Sequence, residues 1–209
     1  MKKRAFVILG SILCAGPISE QAFSKPIQAT KYTYYSISGD TPGEIYTTLV
    51  KRGPRVGGVK AYAATTAVSS QSGQLTQGEF CTVDDYKFKI DFTINLPKLK
   101  NEAALTGATR TDWKKFSSFL KIHEETHRSI WLACADDLEI KIHALKAKSC
   151  PELNEKSTAL WEQMRASCAK KQDAFDVAER SRLLRHPFVK LVLSHGLRST
   201  TALAIPKEQ

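Results

Sequence analysis

From Phe80 to Ile94 apolar and polar side chains alternate. Phe80 and Thr82 are followed by Tyr86, Phe88, Ile90, Phe92 and Ile94. A period of two puts these on one face of a half-buried strand over residues 80–95. Asp84-Asp85 is a point where the run could divide into two strands, and Leu96-Pro97 closes it. Residues 32–38, Tyr-Thr-Tyr-Tyr-Ser-Ile-Ser, are rich in aromatic and β-branched types and predict another strand, ended by Gly39-Asp40. Residues 59–70 predict a third. Between them, Thr41-Pro42-Gly43-Glu44 has the form of a capping box with proline at the first helical position. It predicts a short helix to about Lys51, stopped by Gly53-Pro54.

The second half changes period. Thr111-Asp112 can cap a helix from Trp113. Its stripe runs Trp113, Phe116, Leu120, Ile130, Trp131, Cys134, Leu138, Ile142 and Leu145. Cys150-Pro151 breaks it. A second helix follows through Leu153, Leu160, Trp161, Met164, Cys168, Phe175, Leu183 and Leu184, and ends at Pro187. Phe188–Leu193 reads as a late strand or a docking segment. The expected class is α+β: a small antiparallel β-sheet followed by a long antiparallel helical hairpin.

The first long helix carries His123-Glu124-Glu125-Thr126-His127. The histidines are four apart, so both lie on one helical face. They replace the Leu or Ile that the stripe wants between Leu120 and Ile130. A buried imidazole pair is costly without partners, and Zn²⁺ is the simplest shared partner. The competing reading is a hydrogen-bonded core pair. Glu124 projects about 100° away from His123, where it can act as general base on a metal-activated water. His143 lies about 24 Å along an unbroken helix from His127. It cannot reach the same ion and reads as a solvent-facing or capping residue.

The N-terminus reads as an export signal. Lys2, Lys3 and Arg4 precede a mainly apolar stretch from Ala5 to Ile18, and Ala22-Phe23-Ser24 supplies small residues for cleavage. The expected organisation is a signal peptide over 1–24, a single α+β domain of zincin type over 25–185, and a C-terminal tail over 186–209. No other stretch is long and apolar enough to cross a membrane. Removing the signal lowers the net charge from +10 to +8. The basic residues are interspersed with acids and form no stripe with aromatics, which argues against nucleic acid. Weak attraction to anionic envelope surfaces is compatible with this charge. The segment after the signal keeps Cys81, Cys134, Cys150 and Cys168. An even number in an exported chain predicts two disulfides, and the lack of a CxxC pair argues against a cysteine zinc site.

Catalytic zinc commonly has three protein ligands and water. If the chain reverses near Pro151 and the helices pack antiparallel, residues whose numbers add to about 302 face one another, at 100° and 1.5 Å per residue. Cys134 then meets Cys168, His127 meets Phe175 and His123 meets Glu179. Glu179 is an acid on a core-facing line, as a third ligand would be. Asp176 lies further off the seam and is the alternative. The rival reading of Glu179 is a surface acid paired with Arg180 or Arg182. This register favours Cys134–Cys168 and leaves Cys81–Cys150, among the three pairings that four cysteines allow.

An ordered set of residues spans roughly 32–180. It comprises Tyr34-Tyr35, Ile37, Gly39, Thr41, Glu44-Ile45, Gly53-Pro54 and Ala64-Thr65-Thr66. Cys81 follows, before a strand ending in Leu96-Pro97, and then Trp113, Phe116, Leu120 and His123-Glu124-x-x-His127. In this the chain resembles the predicted secreted zinc-dependent proteases, grouped as a domain of unknown function. The resemblance implies a zinc peptidase of an export compartment. It also implies an aromatic-Asp pair on the return helix, matched by Phe175-Asp176, followed closely by His-Gly. Ser181-Arg182 stands there instead, and His195-Gly196 occurs only in the tail. The resemblance therefore raises Asp176 and His195 as competing ligands, and the departure raises a modified or inactive site.

The expected function is a periplasmic or secreted zinc hydrolase acting on proteins or peptides, with His123 and His127 on the metal and Glu124 as base. The alternative is a non-catalytic envelope binding protein that keeps the fold with a structural or degenerate metal site. Retention of Glu124 favours the enzyme, because a purely structural site has no need of that carboxylate.

Overall fold

The computed structural model describes residues 26–194. The expected signal peptide and the His195-Gly196 pair lie outside the described residues. The elements, in order, are β1 (Ile27–Ile37), α1 (Pro42–Arg52), β2 (Arg55–Val56), β3 (Val59–Lys60), β4 (Ala64–Gln77), β5 (Cys81–Leu99), α2 (Gly107–Ala144), α3 (Cys150–Arg185) and α4 (Pro187–Ser194). The class is α+β, as the change of period predicts.

β5 is the centre of a three-stranded sheet in the order β1-β5-β4. It pairs antiparallel with β4 and parallel with β1, so the sheet is mixed. It is one continuous strand, and Asp85 marks the expected break point by a positive φ of 51° and a shift in the register with β4. Its alternation has the predicted result: Tyr86, Phe88, Ile90, Phe92 and Ile94 are buried beneath the helices. The capping box forms, with Thr41 Oγ1 accepting from Glu44 N–H and Glu44 Oε2 accepting from Thr41 N–H.

α2 and α3 form the antiparallel hairpin. Ser149 caps α3 through Glu152 N–H. Cys134 and Cys168 are disulfide-bonded across the pair, and Cys81 and Cys150 join β5 to the start of α3. α2 begins at Gly107, six residues before Trp113. Thr111 is inside the helix, its hydroxyl donating to Gly107 C=O rather than capping. Phe188–Leu193 is neither a strand nor a free docking segment. It is helix α4, and Phe188, Val189 and Val192 are buried in the core. Their spacing suits one helical face, so the domain continues into the expected tail.

Two large apolar clusters result, with a small third one of Cys81, Ala147 and Leu153 around the Cys81–Cys150 crosslink. One gathers α1, the end of β5, Trp113, Phe116 and Leu120 of α2, Leu183 of α3, and α4. The other gathers the middle of β5 with Cys134, Ala135, Leu138 and Ile142 of α2 and Met164 and Cys168 of α3. Between them, residues 123–127 of α2 and 172–179 of α3 form a polar centre. The segment Ala61–Thr65 passes over it. Gly53 sets that segment's approach: a Cβ there would lie 2.1 Å from Ala61 C=O, and Ala61 N–H donates to Pro54 C=O at 2.9 Å.

Candidate metal centre

His123 and His127 leave α2 one turn apart and turn their Nε2 atoms to one point, 3.1 Å from each other. Asp176 Oδ1, from α3, lies 3.2 Å from His123 Nε2 and 3.0 Å from His127 Nε2. Ligands held at about 2.0–2.1 Å by one tetrahedral zinc stand about 3.3 Å apart. The triangle therefore has nearly the size that a single ion demands. These are ion-pair distances, yet Asp176 Oδ1 is buried without a properly directed hydrogen bond. A metal would supply the missing partner. Two neutral imidazoles and a carboxylate are a donor set that suits zinc.

A second residue fixes the orientation of His127. The Gln172 amide N–H donates to His127 C=O at 3.0 Å, which aims Gln172 Oε1 at His127 Nδ1, 2.5 Å away. Nδ1 is then the donor to Gln172, and Nε2 is the atom turned to the triangle. Burial works against charge on His127. The Asp176 carboxylate at Nε2, the Gln172 hydrogen bond and the charge of Glu124 outweigh it and raise its pKa to about 9. The same field favours a metal cation at Nε2. Burial likewise works against charge on Asp176, but the close imidazoles of His123 and His127 outweigh it and lower its pKa to about 2.

Glu124 is buried and points to another partner. Thr65 Oγ1, at the start of β4, lies 2.9 Å from Glu124 Oε2 and 3.0 Å from Glu124 C=O. Burial raises the carboxyl pKa, partly opposed by His123, His127 and the Thr65 hydrogen bond. A raised carboxyl suits a group that must hold a proton between two transfers. His123, Glu124, His127, Asp176 and Thr65 line one open cleft, whose other walls include Tyr62, Phe119, Leu120, Glu179 and Leu183.

The sequence-predicted residues are thus brought together in part. His123, His127 and Asp176 form the only group of three potential metal ligands among the described residues. Glu124 stands beside them. Glu179 lines the cleft but does not join the triangle: its Oε1 takes a hydrogen bond from Arg182 Nη1 at 2.6 Å. The seam position belongs to Phe175, whose ring centroid is 4.8 Å from that of His123 and 5.0 Å from that of His127. Asp176 reaches the histidines from the cleft side. His143 is remote, exposed and edge-on to Tyr86 at 6.0 Å. Sequence reasoning missed Gln172 and Thr65. Gln172 had a signal, as a polar residue one turn after Cys168 on the core-facing side of α3. Thr65 had none, because its role depends on where β4 crosses α2.

Among known families, the one described as "Bacterial protein of unknown function (DUF922)" matches residues 32–182. No curated protein and no solved structure is similar enough to count as a match.

Proposed function

We propose that this chain, which belongs to the DUF922 family of bacterial proteins of unknown function, is an exported zinc-dependent peptidase. The observation that carries the reading is the convergence of His123 Nε2, His127 Nε2 and Asp176 Oδ1, with Glu124 beside them in an open cleft. Zinc held by three such ligands supplies a Lewis acid that brings the pKa of water to roughly 7 and polarises a carbonyl. Glu124 accepts the proton of the attacking water and delivers it to the leaving amine. Thr65 holds that carboxylate in place. Gln172 holds His127 in the ligating tautomer, and Asp176 balances the charge.

Substrates are proteins or peptides outside the cytoplasm, with cell-wall peptides as a narrower class. Two disulfides and the N-terminal signal pattern support export. No helix among the described residues is long and apolar enough to cross a membrane.

The test is metal content by elemental mass spectrometry. The expected result is about one zinc per chain in wild type and Glu124→Gln, with loss in His123→Ala and Asp176→Ala and retention in Glu179→Gln. Wild-type protein that takes up no zinc on reconstitution ends this reading and leaves the histidines as core residues.

A further inference from the structure

Beyond His123, Glu124, His127 and Asp176, the cleft lining holds one further carboxylate, that of Glu179, among mainly apolar side chains. It follows Asp176 by three residues, so it projects from a similar face of α3, about 4.5 Å further along the axis. It is only 8 % exposed. A carboxylate buried to that degree is costly unless its oxygens are satisfied. Its internal partner is Arg182, whose side chain is 62 % exposed and leans over the Phe119 ring, 5.8 Å from its centroid. Among the described residues no other hydrogen bond or ion pair reaches Glu179. Its second oxygen is left to the cleft. Lys60 also lines the cleft, but its ammonium donates to Lys51 C=O at 2.9 Å and Gly53 C=O at 2.8 Å. It is therefore committed to the end of α1.

We infer that Glu179 determines specificity, selecting a substrate whose side chain next to the metal is lysine or arginine. Phe119 and Leu183 would take the methylene stem, and the free oxygen of Glu179 would take the cationic tip. An unbranched apolar side chain fits the same walls but leaves the carboxylate short of a partner, and an acidic side chain meets like charge. This inference rests on the zinc-peptidase reading.

The experiment is calorimetric titration of α-N-acetylated hydroxamates of lysine, norleucine and glutamate into the zinc-reconstituted full chain. These probes anchor on zinc and need no turnover. Lysine hydroxamate is expected to bind at least about tenfold more tightly than norleucine hydroxamate, which is about 1.4 kcal/mol, with glutamate weakest. In Glu179→Gln the lysine and norleucine probes should bind alike. In Arg182→Ala, an exposed change, the lysine preference should grow because the carboxylate loses its internal partner. Zinc uptake with equal affinity for lysine and norleucine probes, or a lysine preference that survives Glu179→Gln, overturns this inference alone. Absence of zinc and of hydroxamate binding overturns the peptidase reading and this inference with it.

Discussion

Thr65 has one hydroxyl proton and two acceptors on Glu124, the carboxylate and the backbone carbonyl. Removing the hydroxyl while keeping the shape removes the one hydrogen bond that orients the base. A hydrogen bond to a charged group contributes about 1.5–3 kcal/mol. Thr65→Val should therefore lower kcat about tenfold to a hundredfold on a peptide substrate, with zinc content and KM little changed. Thr65→Ser should restore most of it. Steady-state kinetics beside metal analysis checks this, and a Val variant with wild-type kcat removes Thr65 from the machinery. At this scale the sequence was informative only where residue type and spacing act together. His123, Glu124 and His127 were legible because one helical turn puts both imidazoles on one side. The candidates for a third ligand were Glu179 and Asp176, with His195 raised by the resemblance, and the sequence did not decide among them. Ideal angles put Glu179 on the seam, but Phe175 fills the seam and the ligand atoms converge on its cleft side. Asp176 reaches the two imidazoles there.

α2 and α3 carry the whole His123–His127–Asp176 triangle between them, so their mutual position matters more than the conformation of either. Cys134–Cys168 sits two turns from His127 and closes a sequence separation of 34 residues. Cys81–Cys150 closes 69 and ties the sheet to the hairpin turn. Chain entropy gives each crosslink about 4 kcal/mol of stabilisation. Replacing Cys134 and Cys168 together by alanine should lower both the melting temperature and zinc affinity, because the seam beside the ligands is released. Replacing Cys81 and Cys150 should lower the melting temperature with little change in zinc affinity. Thermal melts with competitive chelator titration separate the two, and equal effects on zinc would show that the seam crosslink has no special part in the site. The register of this seam was legible because one cysteine pair fixes a two-helix register to within about a turn. The start of α2 was not, since Thr106 to Arg110 can extend the helix as readily as precede it. The form of Phe188–Leu193 was also open: a six-residue apolar run reads as helix or strand with equal ease.

Over the whole molecule, two apolar clusters grip a polar centre. α4 completes the first of them, its Phe188 ring lying 5.0 Å from Phe116 and 5.6 Å from Trp113. Phe188, Val189 and Val192 contribute about 1.5–3 kcal/mol each by burial, a sum comparable with the roughly 5–15 kcal/mol that keeps a domain folded. A chain ended after Arg185 should therefore lose its cooperative melt by circular dichroism, while one ended after Ser194 should keep it. A cooperative melt in the shorter chain would make α4 an appendage. The sequence by itself determined what depends on short-range periodicity and chemistry: the main strands followed by the long helical pair, the buried face of β5, the capping box and the two histidines with their glutamate on one helix; it favoured the cysteine pairing without fixing it. Only the tertiary structure decided the parallel pairing of β1, the approach of Thr65 to Glu124, the clasp of Gln172 on His127 and the placing of Asp176 rather than Glu179 beside the two histidines. Each of these is a contact between elements. Its geometry depends on the packing of side chains far apart in the chain, which no local pattern encodes.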